Sequence, residues 1–289
     1  MNGKIVSGTR REYCVELTDG TRIFCPVRKT LVTNSGPLFI GDNIVLDETK
    51  SIVGLIERTN LLFRPKIANL DYAVVVCSTY KPAFSSYLLD KFLTYLNSCH
   101  IKSLIVFTKM DCLNYKEKKE IEEIKKYYES IGFTCYLTST NDKSSIETLN
   151  DEINKKVIAF MGQTGAGKSS LINMLDPLFE RAVGQYSEAL GRGKHQTKEV
   201  ILLKHNEGLI GDTPGFSSFD LPLSINEASY YFPGFSQYAL KCYYNNCIHI
   251  NENKCLIKDK VSEGVISSEA YTNYLKIIKE IKEGRKDVH

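Results

Sequence analysis

Residues 162–169 read Gly162-Gln163-Thr164-Gly165-Ala166-Gly167-Lys168-Ser169. The spacing of the glycines, the lysine and the serine matches the phosphate-binding loop G-x-x-x-x-G-K-[ST]. Residues 156–161 before it are typical of a buried strand, and residues 170–175 after it are typical of the first turns of a helix. Because strand, loop and helix follow in the order that this motif requires, we favour a phosphate-binding loop over a chance glycine-rich turn.

The residue types of this loop suit a bound polyphosphate. Glycines allow backbone N–H groups to turn toward phosphate oxygens, and the helix N-terminus adds a partial positive charge. Lys168 would reach the β- and γ-phosphates as a binding and catalytic residue, and the Ser169 hydroxyl would hold Mg²⁺. The predicted nucleotide-binding residues of the loop are Gly162, Gln163, Thr164, Gly165, Ala166, Gly167, Lys168, Ser169 and Ser170.

The composition is that of an ordinary globular protein. Its 289 residues are enough for two or three domains, and 43% hydrophobic with 25% charged residues is a common balance. A net charge of +3 permits an anionic partner without requiring one. There is no apolar run long enough for a membrane span and no apolar region of a signal peptide. We expect a cytoplasmic monomer without a membrane partner, whose nine cysteines are thiols or metal ligands.

Residues 1–66 carry the signals of a small β-barrel. Five short β segments are predicted at residues 4–6, 13–17, 21–25, 41–46 and 52–56, without a helix of useful length between them. Five strands are the count of an OB-type barrel, a fold that commonly binds nucleic acid. Basic residues that could make such contacts are Arg10, Arg11, Arg22, Arg28 and Lys29. The alternative is a barrel with scattered solvated charges, and Arg64-Pro65-Lys66 reads as the linker that follows it.

Residues 67–232 alternate apolar strands with amphipathic helices. Strands are predicted at 72–77, 103–107 and 134–137, with helices at 115–131 and 145–154 and an apolar stripe from Leu88 to Leu96. This alternation predicts a parallel sheet with helices on both faces. Ligands of such sheets bind beyond the carboxyl ends of the strands.

The second of these strands ends in Thr108-Lys109-Met110-Asp111, which resembles the guanine-reading N-K-x-D motif of GTPases. An aspartate here accepts from the N1–H and the 2-amino group of guanine, whereas adenine would leave the carboxylate unpaired. Lys109 would pack its stem on the purine, and Thr108 stands where the motif usually has Asn. Taken alone, these four residues could also be an ordinary strand-end loop.

Two segments after the phosphate loop complete the set. The glycine-rich, basic segment Gly191–Thr197 places Thr197 where it would complete Mg²⁺ coordination in the presence of a γ-phosphate. A later strand ends in Asp212-Thr213-Pro214-Gly215. Asp212 would hold Mg²⁺ through water, and the Gly215 N–H would sense the γ-phosphate.

The base-reading motif precedes the phosphate loop, which reverses the order found in most GTPases. A circular permutation gives this order while leaving the sheet unchanged. The sequence therefore predicts a circularly permuted P-loop GTPase domain, with GTP and GDP as substrate and product and Mg²⁺ as cofactor.

Residues 233–289 contain the pattern C-x4-C-x-H-x5-C, formed by Cys242, Cys247, His249 and Cys255. Three thiolates and an imidazole make a closed tetrahedral set for one structural Zn²⁺, and the alternative is a chance cluster of buried cysteines. The other six cysteines are interpreted as small core residues. Aromatic residues between 230 and 244 would pack a small core or stack on RNA, and a last helix is predicted at 267–283.

The combination and order of these motifs resemble bacterial ribosome small subunit-dependent GTPase A over nearly the whole chain. The resemblance implies three domains: an OB-fold barrel (1–66), a permuted GTPase domain (67–232) and a zinc-binding, α-rich domain (233–289). It implies binding to the 30S ribosomal subunit and its 16S rRNA, through the barrel and the zinc domain. GTP hydrolysis on the subunit would then assist its late maturation.

One catalytic role is left open by the sequence. Phe216 follows Gly215 where many GTPases place a water-orienting glutamine, so the isolated protein should hydrolyse GTP slowly. Family resemblance supports His195 as the residue that supplies the missing group once the ribosome orders residues 181–198. The alternative is that His195 contacts only RNA or solvent. Gln196 is a second departure from the family, in which this position is more often Thr.

Other functions fit parts of the pattern. A P-loop ATPase or small-molecule kinase would share the phosphate loop, although Asp111 speaks against adenine. A binding module could use nucleotide only to switch RNA affinity. A permuted GTPase of the large subunit is disfavoured only by the resemblance of the zinc spacing and the barrel.

Overall fold

The computed structural model describes residues 1–8, 12–179, 200–213 and 221–284. Its N-terminal sheet has the strand order β3-β2-β1-β4-β5, with antiparallel neighbours. A parallel bridge between Val27 and Ile52 joins the two edge strands, so the sheet curls into a barrel. The five strands are β1 (Asn2–Gly8), β2 (Glu12–Leu17), β3 (Arg22–Pro26), β4 (Asn43–Leu46) and β5 (Ile52–Leu55).

Alternation of apolar residues along these strands fills the barrel. Ile5, Val15, Ile44 and Ile52 are buried in one hydrophobic cluster, as period-2 patterning requires of an inward-facing set. A short helix that the sequence did not predict, α1 (Lys29–Ser35), lies between β3 and β4. Its β-branched and polar residues have low helix propensity, and packing of Leu31 into the barrel core stabilises it.

The predicted linker is part of a β-hairpin. Strands β6 (Leu61–Phe63) and β7 (Lys66–Ala68) pair antiparallel, and Arg64-Pro65 forms the turn between them. Leu62 and Ile67 are buried in the core of the central sheet, and the Phe63 N–H donates to the Tyr95 hydroxyl at 3.1 Å. The segment predicted as a linker therefore has regular structure, because the apolar residues on either side of the proline have a core to pack against.

The central sheet has six strands in the order β10-β9-β8-β11-β13-β12. Five of them are parallel, as predicted, while β12 runs antiparallel to β13 at the edge. The tight turn at Asn206-Glu207 joins β12 and β13 as a hairpin, so no crossover helix is needed there. The strands are β8 (Tyr72–Ser78), β9 (Lys102–Thr108), β10 (Thr134–Leu137), β11 (Val157–Gly162), β12 (Leu202–His205) and β13 (Gly208–Asp212).

Four helices cover the two faces of this sheet. Helices α2 (Ser86–Ser98) and α3 (Tyr115–Ser130) pack on one face, and α4 (Lys143–Ile153) and α5 (Lys168–Leu175) pack on the other. The Asn114 side chain accepts from the Glu117 N–H while the Glu117 carboxylate accepts from the Asn114 N–H, a capping box that fixes the start of α3.

The C-terminal part contains helices α6 (Ile225–Tyr231), α7 (Ser236–Ala239), α8 (Leu256–Ser262) and α9 (Ser268–Gly284). Phe232, Phe235 and Tyr274 are fully buried in a cluster with the cysteines of this region. Helix α9 carries its apolar stripe into the same cluster, and α6 packs against both α2 and α9. The boundaries at 66/67 and 232/233 stay predictions. Among the described residues, no helix is both long and apolar enough to cross a membrane.

Candidate nucleotide site and metal cluster

The predicted nucleotide motifs meet at one edge of the central sheet. Strands β8, β9, β11 and β13 are parallel, so their last residues Ser78, Thr108, Gly162 and Asp212 lie at the same end. We call this end the nucleotide edge. The sheet therefore brings together side chains that are 30 to 134 residues apart in the chain.

The phosphate loop, residues 162–169, turns sharply between β11 and α5. Gly162, Gly165 and Gly167 have φ values of 148°, 79° and 92°, which side chains rarely adopt. A Cβ at Gly162 would also lie 2.3 Å from the Val76 carbonyl oxygen, so the loop can leave the sheet this closely only with glycine. Gly167 then starts α5, whose first N–H groups are free of intrahelical partners and able to bind an anion.

Lys168 is held inside this loop. Its side chain is 8% exposed, and the ammonium Nζ donates to the Gly162 carbonyl at 3.2 Å. Burial lowers the pKa of Lys168, and the nearby carboxylate of Asp212 opposes that shift. An ammonium that is partly desolvated beside a loop of N–H groups interacts strongly with phosphate.

The base loop, Thr108–Asp111, contacts the phosphate loop directly. The buried Thr108 Oγ1 donates to the Ala166 carbonyl at 2.7 Å. Lys109 has a left-handed backbone with φ 63°, and its Nζ donates to the Gly165 carbonyl at 2.9 Å. The two loops thus form one surface, although the sequence presents them in reversed order.

Asp111 lies on a short 3-10 turn, Met110–Cys112, with its carboxylate exposed. The Met110 N–H donates to the Thr138 carbonyl, and the Thr138 hydroxyl donates to the Phe107 carbonyl at 3.1 Å. The loop after β10 therefore supports the base loop from behind. Cys112 is exposed beside Asp111, so its interpretation as a core residue was wrong: it lies beyond the end of β9, outside the hydrophobic layer.

The loop after β8, residues 79–85, also reaches the site, and the sequence did not reveal it. The Thr79 hydroxyl donates to the Thr108 carbonyl at 2.8 Å, and the Lys81 carbonyl accepts from Lys109 Nζ at 2.7 Å. Pro82 lies next to Gly165. The only sequence signal was positional, because residues at the carboxyl end of a parallel strand lie near the ligand.

Several predicted residues lie outside the described part of the chain. These are the segment Gly191–Thr197 with His195 and Thr197, and the residues Gly215 and Phe216. Of the predicted magnesium ligands the structure places Ser169, exposed at the start of α5, and Asp212 at the end of β13. A hydroxyl and a carboxylate at one sheet edge are oxygen donors that suit Mg²⁺.

The four residues of the C-x4-C-x-H-x5-C pattern form one buried group, the Cys–His cluster. Their ligand atoms all lie within 4.8 Å of one another. The Sγ atoms of Cys242, Cys247 and Cys255 are 3.6, 3.3 and 3.4 Å from His249 Nδ1. A tetrahedral zinc ion with ordinary Zn–S and Zn–N distances requires an S···N separation of about 3.6 Å. The donor set therefore fits Zn²⁺ through Nδ1 of the histidine.

The backbone around the Cys–His cluster is fixed by side chains beyond the ligands. The Glu252 carboxylate accepts from the N–H groups of Ile248 and Ile250 at 2.7 and 2.8 Å. The Tyr271 hydroxyl donates to the His249 carbonyl at 2.7 Å, and the Phe235 ring packs edge-on against the imidazole. Such contacts orient metal ligands, which supports a built site.

Aromatic residues of this region divide into two sets. Phe232 and Phe235 are in the core, whereas Tyr243 is 67% and Tyr244 is 44% exposed, with Lys254 Nζ 4.6 Å from the Tyr243 ring centre. In the barrel, Arg22 and Arg28 form ion pairs with Glu16 and Asp47. Arg10 and Arg11, and the side chain of Lys29, lie outside the described part of the structure.

Comparisons with known proteins agree with this architecture. Residues 55–222 match the family model described as RsgA GTPase. Proteins named small ribosomal subunit biogenesis GTPase RsgA are similar: that of Malacoplasma penetrans is 38% identical, with 98% of this chain and 100% of the relative covered. The Bacillus subtilis protein of that name is 35% identical, with 97% of both chains covered.

Solved structures extend the similarity to the fold. The crystal structure of YjeQ from Thermotoga maritima superposes with a TM-score of 0.82 at 29% identity, covering 97% of this chain and 98% of that one. YloQ, described as a circularly permuted GTPase, gives a TM-score of 0.80 at 31% identity, covering 98% and 95%. These matches confirm the predicted fold class and the permuted order. From the extent of the family match and the identity over nearly its whole length, this chain belongs to the RsgA GTPase family.

Proposed function

We propose that this GTPase hydrolyses GTP at the nucleotide edge and does so in the biogenesis of the small ribosomal subunit. One observation carries the assignment of the site: the base loop and the phosphate loop touch through Thr108–Ala166 and Lys109–Gly165 hydrogen bonds of 2.7 and 2.9 Å. A purine over Lys109 would thus place its triphosphate on the loop that holds Lys168. The subunit assignment is supported by the names of the similar proteins.

The residues at this edge divide the work of binding. Asp111 accepts from the N1–H and 2-amino groups of guanine, and the stem of Lys109 packs on the ring. Backbone N–H groups at the start of α5 would donate to the phosphates, and the Lys168 ammonium would offset their charge. Ser169, Asp212 and Thr197 would hold Mg²⁺, whose positive charge would offset the negative charge of the phosphates. The Gly215 N–H would face the γ-phosphate.

Competition binding tests the base assignment. Unlabelled GTP should displace a fluorescent GTP analogue at least about 100-fold more effectively than ATP, because adenine leaves Asp111 unpaired. Asp111→Asn should lose this preference and gain affinity for xanthosine triphosphate, whose 2-oxo group accepts from a carboxamide. Asp151→Asn, an exposed aspartate on α4, is the matched control. Equal displacement by ATP and GTP would refute the proposal.

We propose that His195 orients the attacking water, and that binding to the ribosomal subunit positions its side chain for this role. The support is chemical: Phe216 cannot orient water, and His195 lies in a segment rich in glycine and basic residues. Turnover of His195→Ala should match wild type without subunits and lack most of the stimulation by small subunits. Full stimulation of the variant would exclude His195 from the mechanism.

We further propose that the Cys–His cluster holds one structural Zn²⁺ and that the barrel and this region contact 16S rRNA. Four protein ligands leave no open position on the metal, so it stabilises the fold without taking part in hydrolysis. The exposed Tyr243 and Tyr244 beside Lys254 present stacking faces and a positive charge, a combination that suits unpaired bases and phosphates. Co-sedimentation with purified small and large subunits in GDP and in a non-hydrolysable GTP analogue tests the partner. Binding to large subunits only would refute it.

A further inference from the structure

Thr108 is enclosed between the end of β8 and the phosphate loop. Its side chain is 6% exposed, and its Oγ1 lies 2.7 Å from the Ala166 carbonyl and 3.4 Å from the Cys77 carbonyl. A Cβ built on Gly167 would lie 3.5 Å from the same oxygen. The hydroxyl is therefore surrounded by backbone of two other strand ends.

The hydrogen-bonding capacity of this hydroxyl is limited. A threonine hydroxyl has one proton, and both of its neighbours here are carbonyl oxygens that can only accept. The 2.7 Å contact has the length of a good O–H···O bond, whereas 3.4 Å is longer than such bonds usually are. The proton is thus donated to Ala166, and none remains for a ligand.

The other polar side chains of the base loop do not replace this donor. Guanine presents N7 and O6 as acceptors on one edge and N1–H and the 2-amino group as donors on another. The Asp111 carboxylate can only accept, so it reads the donor edge. Two of the three Lys109 protons are directed at the Gly165 and Lys81 carbonyls.

We infer that Thr108 is a positioning residue that ties the base loop to the phosphate loop, and that guanine N7 is left unread by the base loop in this chain. The tie continues to a third strand end, since the Thr79 hydroxyl and N–H both donate to the Thr108 carbonyl at 2.8 and 3.2 Å. Guanine selection then rests on Asp111 and the donor edge. This inference rests on the proposed function, in which the nucleotide is GTP.

A comparison of GTP with 7-deaza-GTP, which lacks the N7 acceptor, tests both parts. The wild-type protein should bind the two nucleotides with Kd values within about twofold of each other, because no hydrogen bond is lost. Thr108→Val should weaken the binding of both nucleotides by roughly tenfold, because the Ala166 carbonyl loses its hydrogen-bond donor and the two loops lose the bond that links them. Thr108→Ser retains the hydroxyl and should stay within about threefold of wild type.

Thr108→Asn adds a sharper measurement. A carboxamide has two N–H protons, so one can replace the bond to Ala166 while the second is available to the purine. This variant should bind GTP at least about fivefold more tightly than 7-deaza-GTP. Thr94→Val is the matched control: Thr94 is fully buried, donates only to the Asp90 carbonyl of its own helix, and should leave both Kd values unchanged.

The outcomes separate this inference from the proposed function. A wild-type preference of more than about fivefold for GTP over 7-deaza-GTP would show that N7 is read. An unchanged GTP affinity in a folded Thr108→Val protein would remove the positioning role. If the ratio of the Kd values for 7-deaza-GTP and GTP is the same in Thr108→Asn as in wild type, residue 108 does not contact guanine N7. If the wild-type protein binds ATP as well as GTP, the proposed function itself fails.

Discussion

The Cys–His cluster and the nucleotide edge are built in opposite ways. The four cluster residues lie between 242 and 255, whereas the nucleotide edge collects strand ends from Ser78 to Asp212. The local site takes all four of its candidate ligands from one short segment. The distributed site needs a complete parallel sheet, because only the strands bring its loops close enough to contact one another. The first should depend on its ion and the second on the central core.

Loss of a metal ligand should have the largest effect on stability. It should affect the Cys–His cluster and leave the nucleotide edge intact. Cys247→Ser leaves three ligands, and structural zinc contributes on the order of 10 kcal/mol to folding of such sites. We expect bound zinc to drop below about 0.2 per chain and the apparent Tm to fall by more than about 10 °C. Elemental analysis and thermal unfolding measure both.

Cys99→Ser, at a half-buried thiol outside the cluster, serves as the control and should keep about one zinc per chain. A Cys247→Ser protein that still holds one zinc would contradict the assignment of the ligand set.

Lys168→Ala should damage the nucleotide edge alone. Loss of a partly desolvated ammonium beside the phosphates should raise the Kd for GTP by at least about 100-fold, while zinc content stays unchanged. Isothermal titration with GTP and elemental analysis of the same sample separate the two sites. Lys102→Ala, at the amino end of β9, is the control and should bind GTP like wild type. Normal GTP affinity of the Lys168→Ala protein would contradict the assignment of the phosphate-binding site.

Tyr243→Ser should weaken subunit binding by about tenfold, the order expected for one stacked base, without changing GTP affinity. The matched control is Tyr115→Ser on α3, because Tyr115 is 75% exposed and has Lys119 Nζ 4.7 Å from its ring centre. Filter binding with labelled small subunits measures the effect. Equal losses for both tyrosines would show that the surface near the Cys–His cluster has no special part in binding.

The smallest effect concerns Asp90 on α2, which links helices of the central sheet to the C-terminal helix α9. It accepts from the Tyr128 hydroxyl on α3 and from Asn273 Nδ2 on α9, both at 2.8 Å. Burial raises the pKa of Asp90 to about 7, the two hydrogen bonds oppose the shift, and nearby Glu269 adds to it. Because the folded carboxyl has the higher pKa, its contribution to stability is lost as the pH rises from about 4 to 7.

Asp90→Asn removes this titration. The free energy of unfolding of the variant relative to wild type should therefore rise by at least about 1 kcal/mol between pH 5 and pH 8. Urea unfolding at the two pH values measures it. The exposed Asp151→Asn is the control and should show no such change. A pH-independent difference for Asp90→Asn would mean that the buried carboxyl does not titrate in this range.

Sequence patterns were reliable where structure is set by local chemistry. All six central strands, the helices α3 and α9, and the five barrel strands were predicted within about two residues, because apolar periodicity and turn residues are local signals. The hairpin at Arg64-Pro65 and the antiparallel direction of β12 were not predicted. Both features depend on the residues that Leu62 and Leu202 pack against, and the sequence of a single strand does not reveal its neighbours.

The sequence by itself determined which chemical groups this protein offers: the phosphate loop, the base loop and the four residues of the Cys–His cluster, each recognised from residue type and spacing. Only the tertiary structure decided that the Thr108 hydroxyl donates to the Ala166 carbonyl and that residues 79–85 contact the base loop. It also decided that Cys112 is exposed beside Asp111. The physical reason is that spacing fixes which groups a short segment offers. Which residues of distant strands come into contact depends on the order and register of those strands in the sheet.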